Sequence, residues 1–312
     1  MVARLAWAAR KLQPMRIAIT GSSGLVGTAL ISHLDSLGHT SVPVVRRAAK
    51  PGEITWSPTH GTLDPGDLEG VDAVVHLAGA GIGDKRWSDD YKKVLVDSRL
   101  DGTSLLATAI AACSDGPKVL LSGSAIGYYG ARGDEQLDEA STPGTGFLAQ
   151  LCVDWEEAAA PAAAAGTRVV LLRTGIVLSA DGGALKKQLP LFKIGAGGTM
   201  GSGEQWQSWI SIDDEVAAIA HLLTADVEGP VNLTAPTPVT QKTFANTLGK
   251  VLKRPTFLPI PKFGPKLILG SELAENLLFT GQRVSPTVLL GDEAFTFRHA
   301  ELEPALRAIL GK

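Results

Sequence analysis

The sequence predicts an α/β fold, a doubly wound parallel sheet with a smaller mixed lobe at the C-terminal end. Three observations carry that prediction. A short β-branched run, Met15–Thr20 (MRIAIT), ends in glycine and passes into a helical apolar pattern. Short apolar runs then alternate with helical stretches as far as about residue 175. Beyond that point the alternation loosens and glycine-rich and proline-rich segments appear. Strands alternating with helices give a parallel sheet covered on both faces and joined by right-handed crossovers.

Met15–Thr20 has the composition of a buried strand. Leu25, Val26, Ala29, Leu30 and Leu34 recur at helical spacing, and Gly38 supplies the stop. Ser41–Val45 is a second strand, leading to Arg46-Arg47. Further strands are expected at Ile54–Trp56, Ala73–Leu77, Lys118–Leu121 and Val169–Leu172, with helices at Asp89–Ala112 and Phe147–Ala165. Later, Gly195–Gly203 is a glycine-rich loop, Trp209–Ile212 a strand, Asp213–Leu223 a helix and Val231–Leu233 a short strand. Helices are expected at Thr240–Leu252 and Phe263–Phe279, separated by the proline-punctuated Arg254–Pro261, and from about Ala300 to Leu310. Residues 1–14 read as an N-terminal arm, 15–178 as a dinucleotide-binding domain with a returning strand and helix from about 206–234, and 179–312 mostly as a substrate lobe.

Composition narrows the function classes. The chain has 312 residues, 45% hydrophobic and 20% charged, as a globular protein does. A net charge of −3 favours no polyanionic partner such as nucleic acid. The two cysteines, Cys113 and Cys152, form no CxxC pair, so neither a disulfide framework nor a metal site is expected, and a reducing cytoplasm suits the chain. No apolar run approaches the roughly 18 residues that a membrane-spanning helix needs. Oligomeric state is not readable.

Thr20-Gly21-Ser22-Ser23-Gly24-Leu25-Val26-Gly27 is a GxxGxxG loop between the first strand and the first helix. Gly21 makes the tight turn, Gly24 lets backbone N–H groups approach a pyrophosphate, and Gly27 lets the helix pack close to the sheet. The helix N-terminus adds roughly half a positive charge. This is the strand–turn–helix context of a Rossmann-type site. About 20 residues past such a loop a carboxylate binds the ribose 2′-OH of NAD. Val45-Arg46-Arg47 stands there instead, and a guanidinium pairs with a 2′-phosphate, so NADP(H) is the expected cofactor. His76-Leu77-Ala78-Gly79 follows another core strand with small residues that let a flat ligand lie against backbone. His76 itself reads as hydrogen-bonded structure.

These residues resemble the extended short-chain dehydrogenase/reductase superfamily, the NAD-dependent epimerase/dehydratase-like proteins. Trp209-Ile210-Ser211-Ile212-Asp213-Asp214 resembles that group's strand–Asp–helix segment, Gly229–Leu233 its following strand, and Ser122-Gly123-Ser124-Ala125 its serine-bearing strand end. Asp84-Lys85-Arg86-Trp87, Asp97-Ser98-Arg99, Gly127-Tyr128-Tyr129-Gly130 and Leu172–Leu178 resemble an epimerase-like subfamily of unknown substrate. Ser202–Trp206 and Ser271–Arg283 resemble the same subfamily, so the likeness runs from Met15 to Leu310. It implies cofactor contacts at Gly21, Ser22, Ser23, Gly24, Leu25, Val26, Arg46, Leu77, Ala78, Arg99 and Val177; Arg47, Gly79 and Ser122 join them as neighbours in the same segments. Arg99 stands where ordinary members keep an asparagine.

One departure bears on chemistry. Ordinary relatives use a YxxxK pair on one helix face, where the lysine lowers the phenol's pKa from about 10. Anchoring on Trp155-Glu156 puts Leu148 at the tyrosine position and Cys152 at the lysine position, and no lysine occurs between Lys118 and Lys186. Ser124, Tyr128 and Tyr129 are the candidate substitutes, with packing as the alternative for the tyrosines. Two readings stay open. One is an NADP(H)-dependent oxidoreductase or epimerase acting on a small polar molecule between the lobes. The other is a non-catalytic NADP(H)-binding protein, a redox sensor or assembly factor.

Overall fold

The computed structural model describes residues 13–312, so of the expected N-terminal arm only Gln13 and Pro14 fall within the described residues. The first half alternates as its composition dictates: β1 (Arg16–Thr20), α1 (Leu25–Ser36), β2 (Thr40–Val45), β3 (Ile54–Thr55), β4 (Ala73–His76), α2 (Asp89–Ala112), β5 (Val119–Ala125) and the short β6 (Gln136–Leu137). Then come α3 (Phe147–Glu157), α4 (Ala160–Ala164), β7 (Arg168–Thr174), β8 (Ile176–Leu178), α5 (Gly183–Lys193), β9 (Trp206–Gln207), β10 (Trp209–Ser211), α6 (Ile212–Leu222) and β11 (Gly229–Leu233). The remainder holds β12 (Val239–Thr240), α7 (Gln241–Leu252), α8 (Phe263–Leu269), α9 (Ser271–Leu278), β13 (Arg283–Val284), α10 (Thr287–Gly291) and α11 (Leu302–Leu310).

Seven strands form one parallel sheet in the order β11-β7-β5-β4-β1-β2-β3. Strand periodicity of two divides its side chains between two cores. Ile17, Ile19, Val75, Leu121 and Leu172 face α1 and α6, meeting Leu30, Leu34, Val216 and Ile219. Ala18, Val74 and Leu120 face α2 and α4, meeting Leu106, Ile110 and Ala162. Each fully buried Val, Leu or Ile side chain among them contributes about 1.5–3 kcal/mol. From β1 the chain winds out to β2 and β3, then returns to the far side of β1 as β4. The β1–β4 boundary is therefore the switch point whose carboxyl-end crevice receives ligands in open α/β sheets.

Two predicted helices are each divided. The Phe147–Ala165 stretch breaks after Glu157, and its second piece carries Pro161, which has no N–H to continue a helical ladder. The Phe263–Phe279 stretch breaks at Gly270, whose φ of 89° is outside any helix. A helix the sequence reading did not include, α5, follows Gly182 and carries Pro190 in its interior.

The C-terminal part builds a second cluster from Leu185, Leu189, Trp209, Phe244, Leu248 and Leu306. Small sheets knit it to the rest: β8 with β10, β9 with β12, and β6 with β13. Among the described residues no helix is long and apolar enough to cross a membrane, and no group of three His, Cys, Asp or Glu is placed to hold a metal.

Candidate functional site

The switch point is closed by contact of two backbones. Gly21, at φ 67°, lies so near the turn after β4 that a Cβ on it would sit 2.8 Å from the Leu77 carbonyl carbon. A Cβ on Gly27 would sit 2.3 Å from the Gly21 oxygen. Only glycines allow this loop to fold against its own helix. Thr20 fixes the two strand ends. Its Oγ1 accepts from Leu77 N at 3.1 Å and Ala78 N at 3.2 Å, which leaves its proton for His76 Nδ1 at 2.7 Å. His76 then donates from Nε2 to Thr103 Oγ1 at 3.0 Å, and Trp155 Nε1 donates to the same oxygen at 2.9 Å. Burial pushes the imidazole down to about 4, with the Arg99 charge adding to it, so His76 is a neutral brace.

Three features of this crevice suit a dinucleotide phosphate. Helix α1 starts at Gly24 with no side-chain cap and no acid in its first turn, so its leading N–H groups are open to an anion. Ser22, Leu25 and Val26 are half-buried there while Ser23 and Gly24 are exposed. Past β2, Arg47 is committed to Glu53 through contacts of 2.6 and 2.7 Å. The exposed Arg46 makes no side-chain hydrogen bond with the described residues and is available to a phosphate at the ribose end. Third, Arg99 is only 8% exposed, yet no carboxylate among the described residues pairs with it. Its Nη1 donates to the Ala80 and Leu95 carbonyls at 3.1 Å, and its guanidinium lies 4.9 Å from the Trp155 ring centroid. A Cβ on Gly79 would reach the Arg99 Cζ at 3.4 Å, so the turn after β4 rests directly on the guanidinium. A buried cation without a counter-ion is costly unless an anion completes it. Val177, on β8, faces the same region: the chain after it returns over Leu25, whose Cδ1 would be 3.0 Å from a Cβ on Gly182.

Beside this crevice, past the ends of β5 and β7, is a cavity of about 210 Å³. Ala125–Gly127, α3 and Thr174–Ile176 form one wall; Trp206–Ser208, Asn276–Leu278 and Thr280–Gln282 form the other. Leu148 and Cys152, at the positions of the missing tyrosine and lysine, both line it. Burial pushes the Cys152 thiol up to about 12, with the Glu156 charge adding to it. No phenol or ammonium group faces this space among the described residues.

The three candidate substitutes are placed elsewhere. Ser124 donates to Glu156 Oε1 at 2.6 Å. Glu156 also receives Arg173 from Nε and Nη2, both at 2.8 Å, in a buried bidentate pair. The Arg173 guanidinium stacks on Tyr128 at 3.5 Å from its ring centroid. Tyr129 is fully buried; it donates to Asn232 Oδ1 at 2.7 Å and accepts from Arg173 Nη1 at 3.1 Å. None of Ser124, Tyr128 and Tyr129 lines the cavity. They brace an ion pair that sequence reasoning missed, because Glu156 and Arg173 meet only when α3 packs over β5, whose Ser124 lies beside Arg173 on β7. Ser122 is wholly buried on β5 with a hydroxyl that has no partner among the described residues. Glu215 is also buried. It accepts from Thr174 Oγ1 at 3.0 Å, while its Oε2 has no partner among the described residues.

A glycine loop at the switch point, an uncapped helix start and a cavity closed by the C-terminal part define a dinucleotide-binding protein of the extended short-chain dehydrogenase/reductase class. The family model described as "NAD dependent epimerase/dehydratase family" matches residues 17–234, and a domain of unknown function (DUF1731) matches residues 260–309. The chain belongs to the NAD-dependent epimerase/dehydratase family. It is 46% identical over 292 residues to an epimerase family protein of Mycobacterium bovis, Mb2239, covering 93% of this chain and 96% of the relative. It is 37% identical over 300 residues to the human epimerase family protein SDR39U1, covering 95% and 100%. The crystal structure of human SDR39U1 (isoform 2) with NADPH superposes with a TM-score of 0.85 at 33% identity, covering 95% of this chain and 99% of that one. A nucleoside-diphosphate sugar epimerase structure from Corynebacterium glutamicum gives 0.78 at 36% identity, covering 99% of this chain and 62% of that one.

Proposed function

We propose that the chain is an NADP(H)-binding, epimerase-like oxidoreductase that holds a small molecule in the cavity beyond β5 and β7. The unpaired, buried Arg99 beside the Gly21–Leu77 contact is the observation that carries the cofactor assignment. Arg46 would hold the 2′-phosphate, the first N–H groups of α1 the pyrophosphate, and Arg99 a further phosphate oxygen. Bound nicotinamide supplies hydride exchange. This chain's own groups orient it and exclude water: Thr174–Ile176 together with Leu148, Cys152 and Trp155 form the cavity wall it would lie against. The relative crystallised with NADPH supports the same assignment. The free Cys113 and Cys152 support a reducing, cytoplasmic setting.

A second reading has its own support. With Leu148 and Cys152 on the cavity wall, the proton exchange that ordinary relatives perform has no tyrosine–lysine pair. A non-catalytic NADP(H)-binding protein, a redox sensor or assembly factor, needs none. Monitoring NADPH absorbance across a panel of carbonyl compounds separates the two. Sustained oxidation coupled to one compound establishes the oxidoreductase; tight NADPH binding without turnover on any establishes the alternative. Tyr128→Phe is expected to leave any turnover unchanged, because that ring lies outside the cavity.

A further inference from the structure

The cavity lining carries more polar residues than it presents polar atoms. Trp206 turns its Nε1 out to Asp134 Oδ1 at 2.7 Å. Gln282 donates from Nε2 to the Gly130 carbonyl, and Asn276 from Nδ2 to the Glu272 carbonyl, each at 2.9 Å. Ser208 Oγ is used twice, donating to the Gln282 carbonyl at 2.8 Å and accepting from Val284 N at 2.9 Å. Each of these side chains thus spends hydrogen-bonding groups on neighbouring protein: Asn276 within its own helix, and Trp206, Ser208 and Gln282 on the loops and short strands around the cavity. Facing inward are Ile82, Ile126, Leu148, Leu151, Trp155 and Leu278. Thr280 and Gln207 make no side-chain hydrogen bond with the described residues, and the Asn276 and Gln282 side-chain oxygens accept none.

Charge is equally sparse. The lining holds no lysine, histidine, aspartate or glutamate, and its single cation is Arg99. Arg99 is anchored on Ala80 and Leu95 against the turn after β4, on the cofactor side. A diphosphate placed in this space would be desolvated with no guanidinium or ammonium group of its own, which burial penalises heavily. The nicotinamide ring would take the part of this space against Thr174–Ile176 and α3, leaving the substrate the side lined by Trp206, Gln207, Leu277, Leu278 and Thr280.

We infer that the substrate pocket takes an uncharged, mainly apolar carbonyl compound, with Thr280 and Gln207 among its polar contacts, and excludes nucleoside diphosphate sugars. This rests on the cofactor assignment above and replaces the small polar substrate expected from the sequence. It also departs from the substrate class named for the similar C. glutamicum structure.

The test has two stages, so that the two readings fail separately. NADPH is first titrated alone; absence of binding defeats the cofactor assignment, and the ligand stage is then read on the unloaded protein. Acetophenone, 2-cyclohexen-1-one, UDP and UDP-glucose are next compared by thermal shift and calorimetry. Both ketones are expected to bind and the uridine compounds not to. Leu277→Glu, at a 38% exposed rim position that tolerates a charge, is expected to weaken the ketones about tenfold. Tighter binding of UDP or UDP-glucose than of either ketone overturns the inference. So does the absence of ketone binding, or ketone binding that Leu277→Glu leaves unchanged.

Discussion

Arg47 and Glu53 form a bidentate ion pair, with contacts of 2.6 and 2.7 Å, that separates two adjacent arginines by task. Glu53 also accepts from Lys50 N at 2.8 Å, closing the loop after β2 onto itself. The Arg47 hydrogen bond holds the Glu53 carboxyl down at about 2. Arg47 is thereby occupied and Arg46 is left exposed beyond the end of β2.

The two arginines therefore differ in their expected effect on cofactor affinity. Arg46→Ala is predicted to weaken NADPH about 10- to 100-fold while leaving NADH nearly unchanged, the scale of a lost charge-assisted contact. Arg47→Ala is predicted to change the NADPH/NADH preference by less than about threefold, since its partner is protein. Calorimetric titration of both variants checks this.

Gly79 supports the same site from beneath. Gly79→Val is predicted to push the Arg99 guanidinium off its position and to weaken NADPH about tenfold or more, because a Cβ already meets Arg99 Cζ at 3.4 Å. Gly79→Ala adds only that one contact and should have a smaller effect. Equilibrium binding of the two variants, ranked against wild type, is the measurement.

The Glu156–Arg173 pair predicts a stability effect. Glu156→Ala strands a guanidinium that is buried against Tyr128 and also removes the Ser124 acceptor. Breaking such a pair from one side costs about 3–5 kcal/mol, and urea denaturation should register it. Tyr129→Phe removes one bond to Arg173 and one to Asn232, and is expected to cost about 1–3 kcal/mol.

Glu215 gives the protein a pH signature. Burial raises its carboxyl from the usual 4.5 to about 8, against partial relief from the Thr174 hydroxyl. The folded state keeps a proton that the unfolded chain has already released in this window. The group's contribution to stability is therefore complete below the usual carboxylate value and is lost as pH rises through about 8. Glu215→Gln, which needs no proton, should flatten the fall in melting temperature between those two values, with its largest gain over wild type on the alkaline side. A parallel decline in both proteins would contradict this.

Local chemistry made most of the sheet readable. Met15–Thr20 and Ala73–Leu77 are apolar runs closed by small residues, and both form central strands. Interruptions were less readable where tertiary packing decides them. Gly270 ends α8 through its positive φ, and α5 tolerates Pro190 because its apolar face, with Leu185, Leu189 and Phe192, is buried. Two-residue strands such as β6 and β13 exist only because Arg283 and Val284 pair with Gln136 and Leu137 across nearly 150 residues of chain, which no local pattern encodes. In the site, the phosphate loop was legible because its signal is contiguous. The role of Arg47 was not, since Arg46 and Arg47 look alike until Glu53 folds back. Tyr128 and Tyr129 drew notice as phenols near a strand end; their surroundings depend on Glu156 and Arg173, which lie on different elements.

The most direct measurement of the central claim is a calorimetric titration of the purified wild-type chain with NADPH and, separately, with NADH. The claim predicts one site per chain and an NADPH affinity at least about tenfold above that for NADH. Equal affinities, tighter NADH binding, or no heat with either dinucleotide would contradict it.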